Sequence, residues 1–275
     1  MVGSLLLRGM LVGVVAGLLA FGFARVFGEP EVDRAIAFEA TKTGEAPTKA
    51  APHAHGETHT HGGAHTHSGA HTSAEAPEPE LVSRATQAGL GLATGVVVYG
   101  AAVGGLFALV FAFAYGRIGR IGARATAALL ALGAYVTVVL VPNIKYPANP
   151  PAIGQAETIG SRTALFFLMI VIAVVALTLA VMLARRLSAQ FGTWNATIAA
   201  GTAFVVVIAI AQYVLPPINE VPDQFSAALL WRFRLASLGI HAVLWATIGL
   251  LFGALTERAM ATQFGQPMTA RPLAR

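Results

Sequence analysis

Residues 164–184 read ALFFLMIVIAVVALTLAVMLA, a run of 21 residues without a charged side chain, and this stretch decides the fold class. A helix needs about 20 apolar residues to cross the ~30 Å hydrocarbon core of a membrane. Closed barrels also span membranes, but their strands alternate apolar with polar residues, and this run does not alternate. The stretch therefore predicts a transmembrane helix.

Five further apolar blocks of similar length flank it. They cover Leu5–Phe27, Ala88–Tyr115, Ala125–Val141, Ala196–Leu215 and Leu235–Leu255. The whole chain is 56% hydrophobic and only 11% charged, whereas soluble domains carry about a quarter charged residues. We therefore predict an all-α, polytopic helical membrane protein with about six transmembrane helices.

The order of the blocks predicts the domain organisation. Residues 1–28 form a first transmembrane helix, which we interpret as an anchor and not a cleaved signal peptide. Residues 29–87 form a long extramembrane loop, 88–258 a five-helix bundle and 259–275 a cytoplasmic tail. The pairs Gly91–Gly95 and Gly100–Gly104 have the spacing of close helix contacts. They indicate packing inside the bundle or, alternatively, a contact with a second copy or a partner subunit.

Arginine distribution predicts the orientation. The short connectors Gly116–Arg124 and Arg185–Thr193 hold five arginines, and such density is typical of cytoplasmic loops. Both termini are then cytoplasmic, and the first loop is periplasmic if the chain lies in a bacterial inner membrane. The net charge of +5 does not indicate nucleic-acid binding, because the arginines lie between apolar blocks and form no basic stripe.

The first loop contains a histidine-rich repeat. Its histidines are His53, His55, His59, His61, His65, His67 and His71. In an extended H-x-H unit both imidazoles point the same way, so one unit offers two ligands to an ion. Imidazole suits Co²⁺, Ni²⁺ and Zn²⁺, and the absence of cysteine excludes thiolate sites. We predict a metal-binding tract over 53–71 that is disordered without metal, because its composition cannot form a core; a merely solvated, buffering loop is the alternative.

Polar residues at the ends of the spans are candidates for an ion pathway. They are Glu29, Asp33, Asn143, Asn149, Glu220, Asp223 and His241. Glu29 and Asp33 share a helix face and could accept an ion, or they could pair with arginines. His241 lies within the last apolar block, where an ionisable side chain is a functional candidate by default. The alternative for His241 is a neutral imidazole hydrogen-bonded to a neighbouring helix.

Three polar stretches carry a resemblance to a known family. They are FGEPEVDRAIAFE (Phe27–Glu39), PNIKYPANPPAIG (Pro142–Gly154) and PPINEVPDQFSAALLWRFRLASLG (Pro216–Gly239). By the predicted topology, all three lie on the same side of the membrane as the first loop. Their order among the spans resembles the CbtA family of probable cobalt transporter subunits. The resemblance implies cobalt as the substrate, uptake linked to cobalamin synthesis, and a small single-span CbtB-like partner subunit.

Together these features predict a divalent-metal uptake subunit surrounded by membrane lipid. Nickel or zinc remains an alternative substrate, a homo-oligomer remains an alternative assembly, and we expect no organic cofactor. A non-conducting accessory or sensor protein is the second function class. We expect no enzyme activity, since no nucleophile–base pair and no phosphate-binding glycine motif is recognisable.

Overall fold

The computed structural model describes residues 2–43, 83–117, 119, 121–151 and 153–264. These residues form helices and connectors without a β-strand, and five helices are long and apolar enough to cross a membrane. The predicted all-α membrane fold is confirmed. The α-helices are α1 (Val2–Phe23), α2 (Glu29–Thr43), α3 (Arg84–Thr86), α4 (Leu92–Ala114), α5 (Ala123–Ala134), α6 (Val141–Lys145), α7 (Ala156–Val214) and α8 (Ala227–Phe264).

Three π-helical turns join successive α-helices into longer rods. They lie at Ala24–Gly28, Gln87–Gly91 and Tyr135–Leu140. The first turn carries the helix past residue 28, so the start of the predicted loop is helical as far as Thr43. On the other side of the loop, the Ser83 hydroxyl caps α3 by accepting from the Thr86 amide at 3.3 Å. The histidine tract between them lies outside the described residues.

Helix α7 contains two of the six predicted spans. Its backbone leaves the helical region at Gly192, with φ 77° and ψ 159°, a conformation open almost only to glycine. Met169 and Ala173 share one buried cluster with Ile208. Residues 169 and 208 would lie about 58 Å apart along one straight helix. The two halves of α7 therefore form an antiparallel hairpin that turns at Gly192, and the five helices provide the six predicted spans.

The tightest contact in the bundle joins α1 to α4 through glycines. A β-carbon on Gly13 would lie 2.1 Å from the Gly100 carbonyl oxygen, and one on Gly104 would lie 2.2 Å from the Gly9 oxygen. The pair Gly100–Gly104 thus packs inside the bundle, which is the first of its two predicted roles. Gly95 differs, because a β-carbon there meets nothing within 4 Å.

Aromatic and small residues fill the core where α4, α5 and α8 meet. Phe111 and Phe252 are fully buried and contact each other edge-on at 5.1 Å between ring centroids. Phe107 packs between Phe252 and Trp245, and α5 contributes Ala127 and Ala131. Helices α1, α4, α5 and α8 therefore form one bundle. The α7 hairpin packs mainly on α6 and on the Tyr135–Leu140 turn.

Hydrogen bonds identify which connectors lie at the same end of the bundle. Arg185 donates to the Arg117 carbonyl at 2.7 Å, so the two arginine-containing connectors meet, as predicted. Arg124 pairs with Glu257 at 2.5 Å and brings the end of α8 to the same place. The opposite end holds α2, α3 and the connectors 146–155 and 215–226, and we call it the polar end.

Candidate functional site

An apolar cluster at the polar end brings the three polar stretches together. Ala35 of α2, Ile153 and Phe225 are buried against one another, and the Phe38 ring contacts Phe225 edge-on at 5.0 Å. Each polar stretch contributes to this cluster. The prediction that the three stretches face one side is therefore confirmed, and the cluster is the base on which their polar side chains are arranged.

Glu220 is the most buried carboxylate of this end, with a side chain 2% exposed. It accepts hydrogen bonds from Asn149 Nδ2 at 3.0 Å, from the Thr158 hydroxyl, and from Arg162 Nη1 at 3.2 Å. Since the carboxylate is satisfied on all sides by donors, it is the centre of a structural network. A metal ion would have to displace these donors to reach Glu220.

The two asparagines shape the proline-rich connector. Asn143 donates to the Val139 carbonyl at 2.8 Å and accepts from the Ala148 amide at 3.2 Å. Asn149 accepts from Arg234 Nη2 at 3.2 Å. These bonds hold the chain after α6 in an extended path that no helix ladder supports.

Tyr146 anchors the same connector to the next one. Its side chain is 2% exposed, and its hydroxyl donates to the Pro216 carbonyl at 2.9 Å. Burial raises the pKa of the Tyr146 phenol, so the group stays protonated and keeps this bond at neutral pH. Asp223, the remaining candidate of this connector, lies exposed beside the buried Phe225.

Arg84 joins Glu29 and Asp33. Its Nη2 lies 2.6 Å from Glu29 Oε2 and 3.0 Å from Asp33 Oδ1, which confirms that the two carboxylates share a face of α2. The Glu29 side chain is 10% exposed and that of Asp33 is 64% exposed. Two carboxylates and one guanidinium leave this triad with a net charge of −1.

The network around Glu220 has the opposite sign. Arg162 binds Glu220 directly, and Arg234 binds Asn149, which itself donates to Glu220. Two guanidinium groups and one carboxylate give a net charge of +1. The polar end therefore holds a net negative triad at α2 and a net positive network beneath the connectors.

His241 lies deeper, on α8. Its Nδ1 is 2.9 Å from the Ser237 carbonyl, one turn earlier on the same helix. The ring lies at the wall of two cavities. One is an open cavity of about 440 Å³, lined mainly by α4 and α8 with Ala20 of α1, and it includes Glu29 and Gly95. The other is about 490 Å³, reaches the α7 hairpin and includes Arg162. Tyr99 of α4 also borders both.

One family accounts for nearly the whole architecture. The sequence model of a family described as "Probable cobalt transporter subunit (CbtA)" matches residues 2–257. This chain belongs to the CbtA family. The predicted resemblance is confirmed, and the chain is a multi-pass membrane protein of a cobalt transporter family. It matches no curated protein and no solved structure.

Membership in the CbtA family does not assign its metal ligands. Among the described residues no group of three or more histidine, aspartate or glutamate side chains could hold an ion. The seven histidines of the tract 53–71 lie outside the described part of the chain, so their role remains a prediction. Of the pathway candidates, Glu29 and His241 share a cavity, Asn149 and Glu220 belong to the structural network, and Asn143 binds the backbone of its own connector.

Several residues of this CbtA site were not identified in the sequence. Arg84, Thr158 and Tyr99 form or border it, and Glu31 is buried at its edge, where it pairs with Arg34. Only Arg84 could have been identified from the sequence, because a charged residue at the start of a span is a candidate for pairing with charges at the ends of other spans. The roles of Tyr99 and Thr158 depend on contacts across the bundle, which spacing along the chain does not show.

Proposed function

We propose that this chain is the membrane subunit through which a cobalt uptake system moves Co²⁺ into the cell for cobalamin synthesis. The observation that carries the proposal is the position of the loop ends. The described chain stops at Thr43, at the end of α2, and resumes at Ser83, which directly precedes Arg84 of the Glu29–Arg84–Asp33 triad at the polar end. The tract is therefore connected to the end of the bundle that carries this net negative triad.

In this proposal the tract captures the ion and the polar end receives it. Neutral imidazole binds borderline divalent ions such as Co²⁺, Ni²⁺ and Zn²⁺. The exposed carboxylates Asp33 and Asp223 lie at the entrance, and Glu29 lies below them. Asn143, Asn149 and Glu220 serve the route by holding the connectors in place. Asn143 binds the backbone of Val139 and Ala148, whereas Asn149 and Glu220 bind each other and arginines.

Orientation and partners follow from the same proposal. The connectors rich in arginine face the cytoplasm, so the tract lies in the periplasm of a bacterial inner membrane. A small single-span CbtB-like protein is the proposed partner subunit, because the family is described as a transporter subunit. No phosphate-binding motif supplies ATP hydrolysis from this chain, so the driving force is a membrane gradient, the partner, or metal trapping inside the cell.

One observation favours a second function class, a metal-binding accessory or sensor that does not conduct. The described residues hold no cluster of three histidine or acidic ligands. The carboxylates Glu29, Asp33 and Glu220 are also all paired with arginine. A sensor would need to bind metal only in the histidine tract and pass the signal through the helices.

Uptake of radioactive cobalt by cells that express this chain, with and without the partner, separates the two. We expect uptake above that of empty cells, with further stimulation by the partner. No uptake in either case would reject the transporter. A variant lacking residues 53–71 should keep the maximal rate but need more cobalt to reach it. Complete loss of transport at high cobalt would place the tract in the conducting route and not above it.

A further inference from the structure

The cavity between α1, α4 and α8 contains two kinds of metal ligand. Glu29 lies at its polar end, His241 lies on its α8 wall, and Tyr99 lies between the two cavities that His241 borders. The rest of its lining is mostly apolar, and the volume of about 440 Å³ is ample for an ion with several waters. A carboxylate and an imidazole that border one cavity form a suitable ligand pair for a borderline divalent cation.

The hydrogen bond of His241 prepares its other nitrogen for a metal. A carbonyl oxygen only accepts, so the contact of Nδ1 with the Ser237 carbonyl places the ring proton on Nδ1. The lone pair is then on Nε2, which has no hydrogen-bond partner among the described residues. Histidines that ligate metals typically donate their other N–H to a carbonyl or a carboxylate in this way.

Charge favours this cavity over its neighbour. The Glu29–Arg84–Asp33 triad at its outer end has a net charge of −1, whereas the network that includes Arg162, at the other cavity, has a net charge of +1. Electrostatic interactions are strong in a low-dielectric protein interior. A cation that approaches the polar end is therefore drawn toward Glu29 and repelled from Arg162.

Arg84 provides a cation for Glu29 when no metal is present. A buried carboxylate without a partner is costly, and the guanidinium at 2.6 Å supplies one. Arg84 is the first residue of α3 and its side chain is 34% exposed, so the guanidinium can leave Glu29 for solvent. A divalent ion arriving from the tract can replace the guanidinium, and the carboxylate is paired in both states.

From these contacts we propose that the α1–α4–α8 cavity is a transit site for a divalent cation, with His241 Nε2 and the Glu29 carboxylate as its protein ligands. This inference deepens the proposed function and rests on it for the direction of transport. Binding at the cavity does not depend on transport and can be tested separately. A site with two protein ligands and several waters binds weakly enough to release the ion, as conduction requires.

The absence of cysteine permits a direct test in the full-length chain. Gly95 borders the cavity, and a β-carbon there meets nothing within 4 Å, so Gly95→Cys introduces one thiol without a clash. The probe is a charged, water-soluble methanethiosulfonate reagent. The matched control is Gly201→Cys, because Gly201 is also exposed, lies within a long apolar helix and leaves open space around its β-carbon.

We expect the Gly95→Cys thiol to be modified and the Gly201→Cys thiol to resist the reagent. Added Co²⁺ should slow modification at Gly95→Cys. In the double variant Gly95→Cys/His241→Gln, the thiol should still be modified. The Co²⁺ concentration that gives half-protection should rise by about 10-fold or more, since even residues that only support a metal ligand contribute 10–100-fold in affinity. A Gly95→Cys thiol that is unreactive, or whose protection by Co²⁺ is unchanged in His241→Gln, would overturn the proposal.

Uptake measurements distinguish failure of this site from failure of the proposed function. If the native chain transports cobalt while His241→Gln and the cavity-filling Gly95→Phe transport it equally well, the route lies elsewhere and only this inference is wrong. If the native chain does not transport cobalt but Co²⁺ protects the Gly95→Cys thiol through His241, the cavity binds metal and the transporter assignment is wrong. Tyr99→Phe, which keeps the ring and removes the hydroxyl, tests whether the phenol contributes.

Discussion

Substitution of Gly13 by alanine should separate α1 from α4. The added β-carbon would lie 2.1 Å from the Gly100 oxygen, and ordinary contact begins at 3.4 Å, so the deficit is 1.3 Å. The obstacle is backbone on a second helix, so no side-chain rotation relieves it and the helices must move apart. Gaps of 0.5–1 Å already remove a quarter to a half of the attraction between neighbouring atoms. Overpacking typically costs 1–3 kcal/mol, and we expect about 3 kcal/mol here because the obstacle is rigid.

The measurement is the free energy of unfolding in mixed micelles, compared with Gly22→Ala on the same helix. A β-carbon on Gly22 meets nothing within 4 Å, so this control introduces the same methyl group without a clash. We expect the control to be as stable as the native protein or slightly more stable, because alanine favours helix by about 1 kcal/mol over glycine. Equal stability of the two variants would refute the close α1–α4 packing and would favour the alternative in which these glycines contact another subunit.

Three further outcomes are expected from the fold and the tract. Glu220→Gln should lower the free energy of unfolding by about 3 kcal/mol or more, because it leaves Arg162 without its buried partner. The control Glu257→Gln, at the exposed pair with Arg124, should lower it by about 1 kcal/mol or less. Similar losses in the two variants would contradict the buried network. Gly192→Ala should lower the free energy of unfolding by about 1–3 kcal/mol, because alanine is strained at a φ of 77°. Gly201→Ala, at a helical position with open space around the β-carbon, should cause no such loss. Thermal unfolding of the two variants measures the difference. The cobalt affinity of the full chain, measured by isothermal titration calorimetry, should fall as the pH drops through about 6.5, because protons compete with the metal for imidazole. Deletion of residues 53–71 should remove this pH dependence. Unchanged affinity at pH 5 would exclude imidazole as the main ligand.

Periodicity and composition were sufficient to predict the spans. An apolar run of about 20 residues has few alternatives in a membrane, so the six blocks and the two arginine-containing connectors were identified correctly. The ends of the helices were not, because α2 and α3 continue into charged sequence that hydropathy assigns to a loop. The fourth and fifth spans were separated correctly, because Gly192, where the two halves of α7 turn back on each other, lies in the predicted connector Arg185–Thr193.

The candidate site was predictable in its location but not in its pairings. The sequence indicated that the three polar stretches face one end, because an odd or even number of crossings fixes the side. It did not indicate that Arg84 pairs with Glu29, 55 residues away, or that Glu220 binds Arg162, 58 residues away. Such contacts depend on how helices pack against one another, and neither helical periodicity nor residue spacing encodes that packing.

Selectivity for cobalt requires more than the ligands of the described cavity. Affinity of a nitrogen and oxygen site for divalent ions rises from Co²⁺ through Ni²⁺ to Cu²⁺, and an imidazole–carboxylate pair with bound waters imposes no geometry that would reverse this order. The proposed site of Glu29 and His241 would therefore explain passage of a divalent cation but not discrimination among cations. On this proposal, the choice of metal requires a component that adds ligands or fixes geometry, and the proposed partner subunit and the histidine tract are the candidates. The transporter would then consist of a selective capture step above the membrane and a permissive transit site within it, joined at the Arg84 position.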